Sequence, residues 1–164
     1  HSSVIMLSLY RFPIKLIGFL GGLVLKLSTR GKYGLYAMLY LAQKAEEGPQ
    51  PLKSIAQLSL PDQYLEQLLG SLRKAGLVST VRGAQGGYQL AKPAREITIG
   101  HIIEAMEGPL NLSECAVEED PYQCPHSKDC LARPVWEFLT NRINSLLYSI
   151  SLQDMLDSKE MSNA

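Results

Sequence analysis

All three cysteines of this chain, Cys115, Cys124 and Cys130, fall within the sixteen residues CAVEEDPYQCPHSKDC. Thiolates are the preferred protein ligands of iron–sulfur clusters and good ligands for zinc, and closely spaced thiols also suit a reversible redox switch. A 2Fe–2S cluster takes four ligands, commonly cysteine with occasional histidine, so three thiolates leave one place to fill. Within the segment His126 is the chemical favourite for that place. Asp129, Glu114 and Glu118 are oxygen donors, weaker toward iron, and a residue from a second subunit is a further source. The alternatives are a 4Fe–4S cluster, zinc in a closed site of Cys115, Cys124, His126 and Cys130, and a metal-free thiol switch. A low, odd number of cysteines argues against a secreted disulfide scaffold and fits a reducing cytoplasm.

The charge distribution separates this segment from what precedes it. Over the whole chain 16 Lys and Arg balance 16 Asp and Glu. From Ser28 to Arg95, however, nine basic residues face four acidic ones, and from Glu104 to Arg133 two face seven. A basic part followed by an acidic one reads as a polyanion-binding module joined to a region with another task. No Ser-His-Asp set, phosphate-binding glycine loop or paired acid and base is present, so no enzyme and no small-molecule substrate is expected.

The elements that must position these groups are legible from periodicity. Thr29 caps an expected helix to about Ala45 with Leu35, Met38, Leu39 and Ala42 on its apolar face, and a short helix follows over Leu52 to Gln57. A longer helix starts at Pro61, burying Leu65, Leu68, Leu69 and Leu72 and exposing Gln63, Glu66, Gln67, Gly70, Arg73 and Lys74. Residues 77–81 and 87–91 read as two short strands joined by the glycine-rich tip Arg82-Gly83-Ala84-Gln85-Gly86. Thr98 caps a helix carrying Ile102, Ile103 and Met106, which Gly108-Pro109 stops. Residues 109–133 have no periodicity, as in a functional loop. From Pro134 a long helix is expected over residues 134–156, with Trp136, Leu139, Ile143, Leu146 and Ile150 in a seam that Phe138 and Leu147 widen. A seam of this kind at the end of a small domain packs most simply against a second copy, which predicts a homodimer.

Helix, turn, second helix with a polar outer face, then a hairpin is the winged helix-turn-helix order, and its partner is double-stranded DNA. Gln63, Glu66 and Gln67, with Tyr64 beside them, offer donors and acceptors to base edges in the major groove. Arg82 suits a narrow minor groove, and Gly83, Gly86 and Gly87 let the wing approach the backbone closely. Arg30, Lys32, Arg73, Lys74 and Lys92 are candidate phosphate contacts. The fold class expected is therefore mainly α with a small β-hairpin wing.

LSTRGKYGLYAMLYLA, YLEQLLGSLRKAGLVSTVRGAQGGYQLAK and ITIGHIIEAMEG resemble the winged-helix transcription regulators of the IscR type, a superfamily that includes the nitric-oxide regulator NsrR and the cysteine-metabolism regulator CymR. The likeness runs from about Leu25 to Met155. It implies a homodimeric, cytoplasmic repressor that reads DNA through the helix bearing Gln63, Glu66 and Gln67 and through Arg82. It also implies a 2Fe–2S cluster on the three cysteines, sensing iron–sulfur, redox or nitric-oxide status to control iron–sulfur assembly or cysteine-metabolism genes. In IscR-like members a histidine shortly after the third cysteine completes the ligand set, and here Arg133 holds that place. The first gap between cysteines is also longer than theirs. NsrR-like members use a residue near their N-terminus, and Lys32 stands at about that position. The alternative is a clusterless regulator like CymR, controlled by a partner enzyme or by thiol oxidation.

Residues 1–24 fall outside the likeness. His1-Ser2-Ser3 looks like a tag remnant, and a native start at Val24 or Leu25 is expected. The apolar run in IKLIGFLGGLVLKL is ten residues long, too short to span a bilayer, and no membrane partner is expected. The expected division is an N-terminal extension (1–24), a DNA-binding domain (25–107), a cysteine loop (108–133), a dimerisation helix (134–156) and a tail (157–164).

Overall fold

A computed structural model describes residues 28–55, 60–113 and 130–163. The expected extension, most of the cysteine segment and the end of the second predicted helix lie outside them. Helix α1 (Thr29–Gln43) leads through a single 3-10 turn to α2 (Leu52–Ile55), and α3 (Asp62–Lys74) follows. Strands β1 (Val78–Val81) and β2 (Gly87–Leu90) form an antiparallel hairpin with Val78 opposite Leu90 and Val81 opposite Gly87. Helix α4 is Ile99–Glu107, α5 is Arg133–Ser149 and α6 is Leu152–Asn163.

One core serves all of these elements. Leu65, Leu68, Leu69 and Leu72 of α3 are buried as their spacing predicts, against Met38 and Leu41 of α1, Ile102 and Met106 of α4, and Leu152 of α6. On α1 the buried line is displaced from the expected one: Gly31, Gly34, Ala37, Met38, Leu41 and Ala42 face inward, while Leu35 and Leu39 are only half-buried. Small residues bring α1 close to α4, with Gly34 lying against Met106. A reading based on hydrophobicity undervalues a face made of glycine and alanine.

Helix α1 is capped by Ser28, not by Thr29. The Ser28 hydroxyl accepts from the Gly31 amide at 3.3 Å. Glu107, the last residue of α4, reinforces the cap by accepting from the amides of Ser28 and Gly31, each at 3.1 Å, and from the Ser28 hydroxyl. A carboxylate beside free amides at a helix N-terminus is favoured by both hydrogen bonding and the helix dipole. Helix α4 begins as predicted, with Thr98 accepting from the His101 amide, and it ends at Gly108, whose φ is 85°.

The dimerisation helix expected over residues 134–156 is two helices. Ile150 is extended (φ −105°, ψ 116°), so it leaves the α5 seam. Ser151 then caps α6: its hydroxyl accepts from the Asp154 amide at 3.1 Å, and the Asp154 carboxylate accepts from the Ser151 amide at 2.8 Å and hydroxyl at 2.7 Å. This reciprocal arrangement is the capping-box geometry, and it competes directly with continuing the helix. The break places residues 150–152 alongside 97–99. The Ile99 amide donates to Ile150 at 2.9 Å and the Leu152 amide to Ile97 at 2.8 Å, flanking the Thr98–Ser151 bridge.

Candidate nucleic-acid interface

The winged head presents three exposed features. The outer face of α3 carries Gln63, Glu66 and Gln67, all exposed, with Tyr64 half-buried beside them. Arg82 is exposed where β1 ends, and Lys92 is exposed just past β2. Arg30 and Lys32 are exposed on the first turn of α1, and Arg73 and Lys74 on the last turn of α3. Among the described residues none of these six cations is in an ion pair; the pairs present are Lys44–Glu47, Arg95–Glu96 and Arg133–Glu137. An unpaired basic surface around a polar helix face has the charge of a polyanion site.

Two of the wing glycines are required by the fold itself. Gln50 exchanges backbone hydrogen bonds with Tyr88 at 2.8 and 2.9 Å, adding one isolated rung on the outer side of β2. That rung brings the Gln50 backbone so close to Gly87 that a Cβ there would collide with it, and a Cβ at Gly86 would strike the Val81 carbonyl. Gly83 takes a positive φ of 114° at the tip. Nothing in the local sequence marks Gln50 as the partner of the wing.

A cleft of about 370 Å³ joins α1 to α3. Arg30, Gln67, Gly70, Ser71, Arg73 and Lys74 contribute to its lining. Across it the Arg30 guanidinium donates to the Ser71 hydroxyl at 2.7 Å, and that hydroxyl donates to the Gln67 carbonyl at 3.2 Å. Ser71 was not among the residues expected to take part, because a serine on a helix carries no spacing signal.

Of the cysteine segment the structure describes the two ends. On one side Leu112 donates its amide to the Thr140 hydroxyl at 3.2 Å, and Asn144 donates its side-chain amide to the Leu110 carbonyl at 3.2 Å. On the other side Cys130 is a half-buried free thiol three residues before α5. Cys115, Cys124, His126, Glu114, Glu118 and Asp129 lie outside the described residues. No group of three or more metal-binding side chains occurs among the described residues. Arg133 is ion-paired with Glu137 at 2.8 Å.

The seam of α5 faces away from the core. Trp136, Leu139 and Leu146 are exposed, as are Val135 and Phe138, whereas Thr140 is the one fully buried residue of the helix. Its inner side meets the segment after α4 through Thr140 and Asn144, and α4 itself through Tyr148. No described helix is long and apolar enough to cross a membrane.

Comparison with known proteins fits this geometry. The family model named Rrf2, described as an iron-dependent transcriptional regulator, matches residues 27–158. This chain belongs to the Rrf2 family. Among solved structures, T. potens IscR superposes with a TM-score of 0.69 at 45% identity, covering 85% of this chain and 92% of that one. CymR, the global cysteine regulator of B. subtilis, superposes with a TM-score of 0.65 at 41% identity, covering 82% and 98%. IscR of Pectobacterium atrosepticum is 39% identical over 85% of this chain and 84% of its own length. The protein is thus a DNA-binding transcriptional regulator with a winged-helix head, and not an enzyme.

Proposed function

We propose that this Rrf2-family regulator works as a homodimer that represses transcription and senses iron–sulfur, redox or nitric-oxide status through a 2Fe–2S cluster on Cys115, Cys124 and Cys130. The observation that carries the sensing part is the position of the cysteine segment. It leaves the body directly after Glu107, which holds the first turn of α1, and it re-enters at the start of α5. Changes in the segment therefore act on the DNA-reading head at one end and on the subunit interface at the other. The outward apolar seam of α5 supports the homodimer, since apolar surface of this extent on a helix is stabilised by a second copy.

The donor set fits a cluster by its chemistry. Cys130 is a free, half-buried thiol three residues before α5, and thiolate sulfur is the common protein ligand of such clusters. Arg133 supplies no ligand, and His126 is the proposed fourth. When bound, the cluster supplies a site open to oxidation, nitrosylation or loss. The protein's part is to tie that site to the spacing of the two heads, because half-sites one helical turn apart, roughly 34 Å, tolerate little change. The likeness to IscR and CymR favours iron–sulfur assembly or cysteine metabolism as the regulated genes.

A second reading has support from Arg133: with that side chain committed to Glu137, a clusterless regulator like CymR, controlled by thiol oxidation or a partner enzyme, also fits. Anaerobic purification with iron and sulfide analysis separates the two. The expected result is a visible absorption spectrum that Cys124→Ala abolishes. Stoichiometric absence of iron and sulfide in the wild type would establish the second reading, and a spectrum unchanged in Cys124→Ala would refute the ligand set.

A further inference from the structure

We infer that the cleft between α1 and α3 is a phosphodiester site, in which Ser71 positions the guanidinium of Arg30 to hold one backbone phosphate of duplex DNA beside the groove-reading face. This rests on the DNA-binding reading of α3 and adds to it a defined contact and a residue that makes no contact with base edges.

Three cations, Arg30, Arg73 and Lys74, line one cleft, and none is neutralised by a carboxylate among the described residues. Bringing three like charges together costs Coulomb energy that an anion between them recovers. Arg30 is the one held in place. Its guanidinium has five N–H donors in a planar fork, and the Ser71 hydroxyl takes one of them at 2.7 Å. Ser71 is itself oriented, since its proton goes to the Gln67 carbonyl and leaves its lone pairs for Arg30. The guanidinium is thereby fixed at small entropic cost with donors remaining, which suits the two-point recognition of phosphate oxygens.

Gly70 completes the cleft. No heavy atom lies within 4 Å of where its Cβ would be, so the absence of a side chain serves no packing need and keeps the cleft open. Gln67 belongs to both surfaces, lining the cleft and lying on the groove-reading face. A phosphate seated here would set the register of α3 in the groove, which is the role phosphate contacts play in DNA recognition. The Glu107 carboxylate fixes the end of α1 from which Arg30 projects.

The test is fluorescence anisotropy with a labelled mixed-sequence duplex of about 30 base pairs titrated with KCl, using the full chain, since phosphate contacts act on any sequence. Arg30→Gln is expected to lower the slope of log K against log salt by about 1, equivalent to about eightfold weaker binding at 0.1 M salt. Arg30→Lys keeps the slope. Ser71→Ala weakens binding without changing the slope, and adding it to Arg30→Gln has no further effect. Circular dichroism confirms that each variant is folded. An unchanged slope in Arg30→Gln, or additive losses in the double variant, would overturn the proposal. A wild type that binds no duplex would remove the reading of α3 and the cleft's assignment with it. Calorimetric binding of inorganic phosphate to wild type but not to Arg30→Gln, with the DNA slope unchanged, would reassign the cleft to a free anion and also overturn it.

Discussion

Tyr148 shows how much of this structure turns on single side chains. Its ring lies over Gly100, where any Cβ would come within 2.7 Å of the ring carbons, and meets His101 edge-on at 5.2 Å between centroids. Its hydroxyl donates to Glu104. The hydrogen bond to Glu104, burial and the neighbouring negative charge together push the phenol up to about 12 from its ordinary 10. A phenol raised on folding contributes stability that is complete below pH 10 and is lost as pH rises from about 10 toward 12. Urea denaturation across that window should show wild type losing stability faster than Tyr148→Phe. Parallel curves for the two proteins would contradict the Glu104 bond. Neither Tyr148 nor Gly100 was legible as a pair in the sequence, because nothing local relates residues on two helices that meet only through the fold. The leucines of α3 were legible, since four of them at helical spacing leave one side to bury.

At the scale of elements, the wing, α3 and the cap of α4 follow from local signals, and they stand where those signals put them. The C-terminal region does not. Its seam predicted one helix through Ile150, and the pattern of apolar spacing was strong enough to hide Ser151-Leu152-Gln153-Asp154, a serine with an acid three positions on. That capping signature decides the outcome, because the break lets Leu152 enter the core fully. What remains of the seam, Trp136, Leu139, Ile143 and Leu146, lies on α5 alone. Leu139→Glu with Leu146→Glu should leave the far-ultraviolet circular dichroism unchanged, since both positions are exposed on the isolated chain, while converting the proposed dimer to monomer in sedimentation equilibrium. Retention of a dimer would move the interface elsewhere. The cysteine segment was legible as chemistry but not as geometry: residue types name plausible ligands, and only a three-dimensional arrangement selects among them.

For the whole molecule, the expected division into a DNA-binding domain ending at 107 and a separate dimerisation helix does not match how the core is shared. Leu152 packs among Met38, Leu41, Ile97 and Ile102, and the backbone ladder from 97–99 to 150–152 joins the two regions. A chain ending at Ser149 should therefore be destabilised by at least the cost of an emptied leucine site, about 2–5 kcal/mol, against a typical total of about 5–15. Urea midpoints measure this directly, and an unchanged midpoint would mean that α6 is dispensable. The Thr98–Ser151 bridge has a consequence for how such proteins are built and rebuilt. Residues 108–149 depart from and return to one body, so they form a cassette inserted into the domain and not a tail hung from its end. Exchanging this segment for a relative's then requires two matched junctions, at Glu107–Gly108 and at Ile150–Ser151, and a chimera spliced at only the first would carry a foreign leucine plug into the reading head.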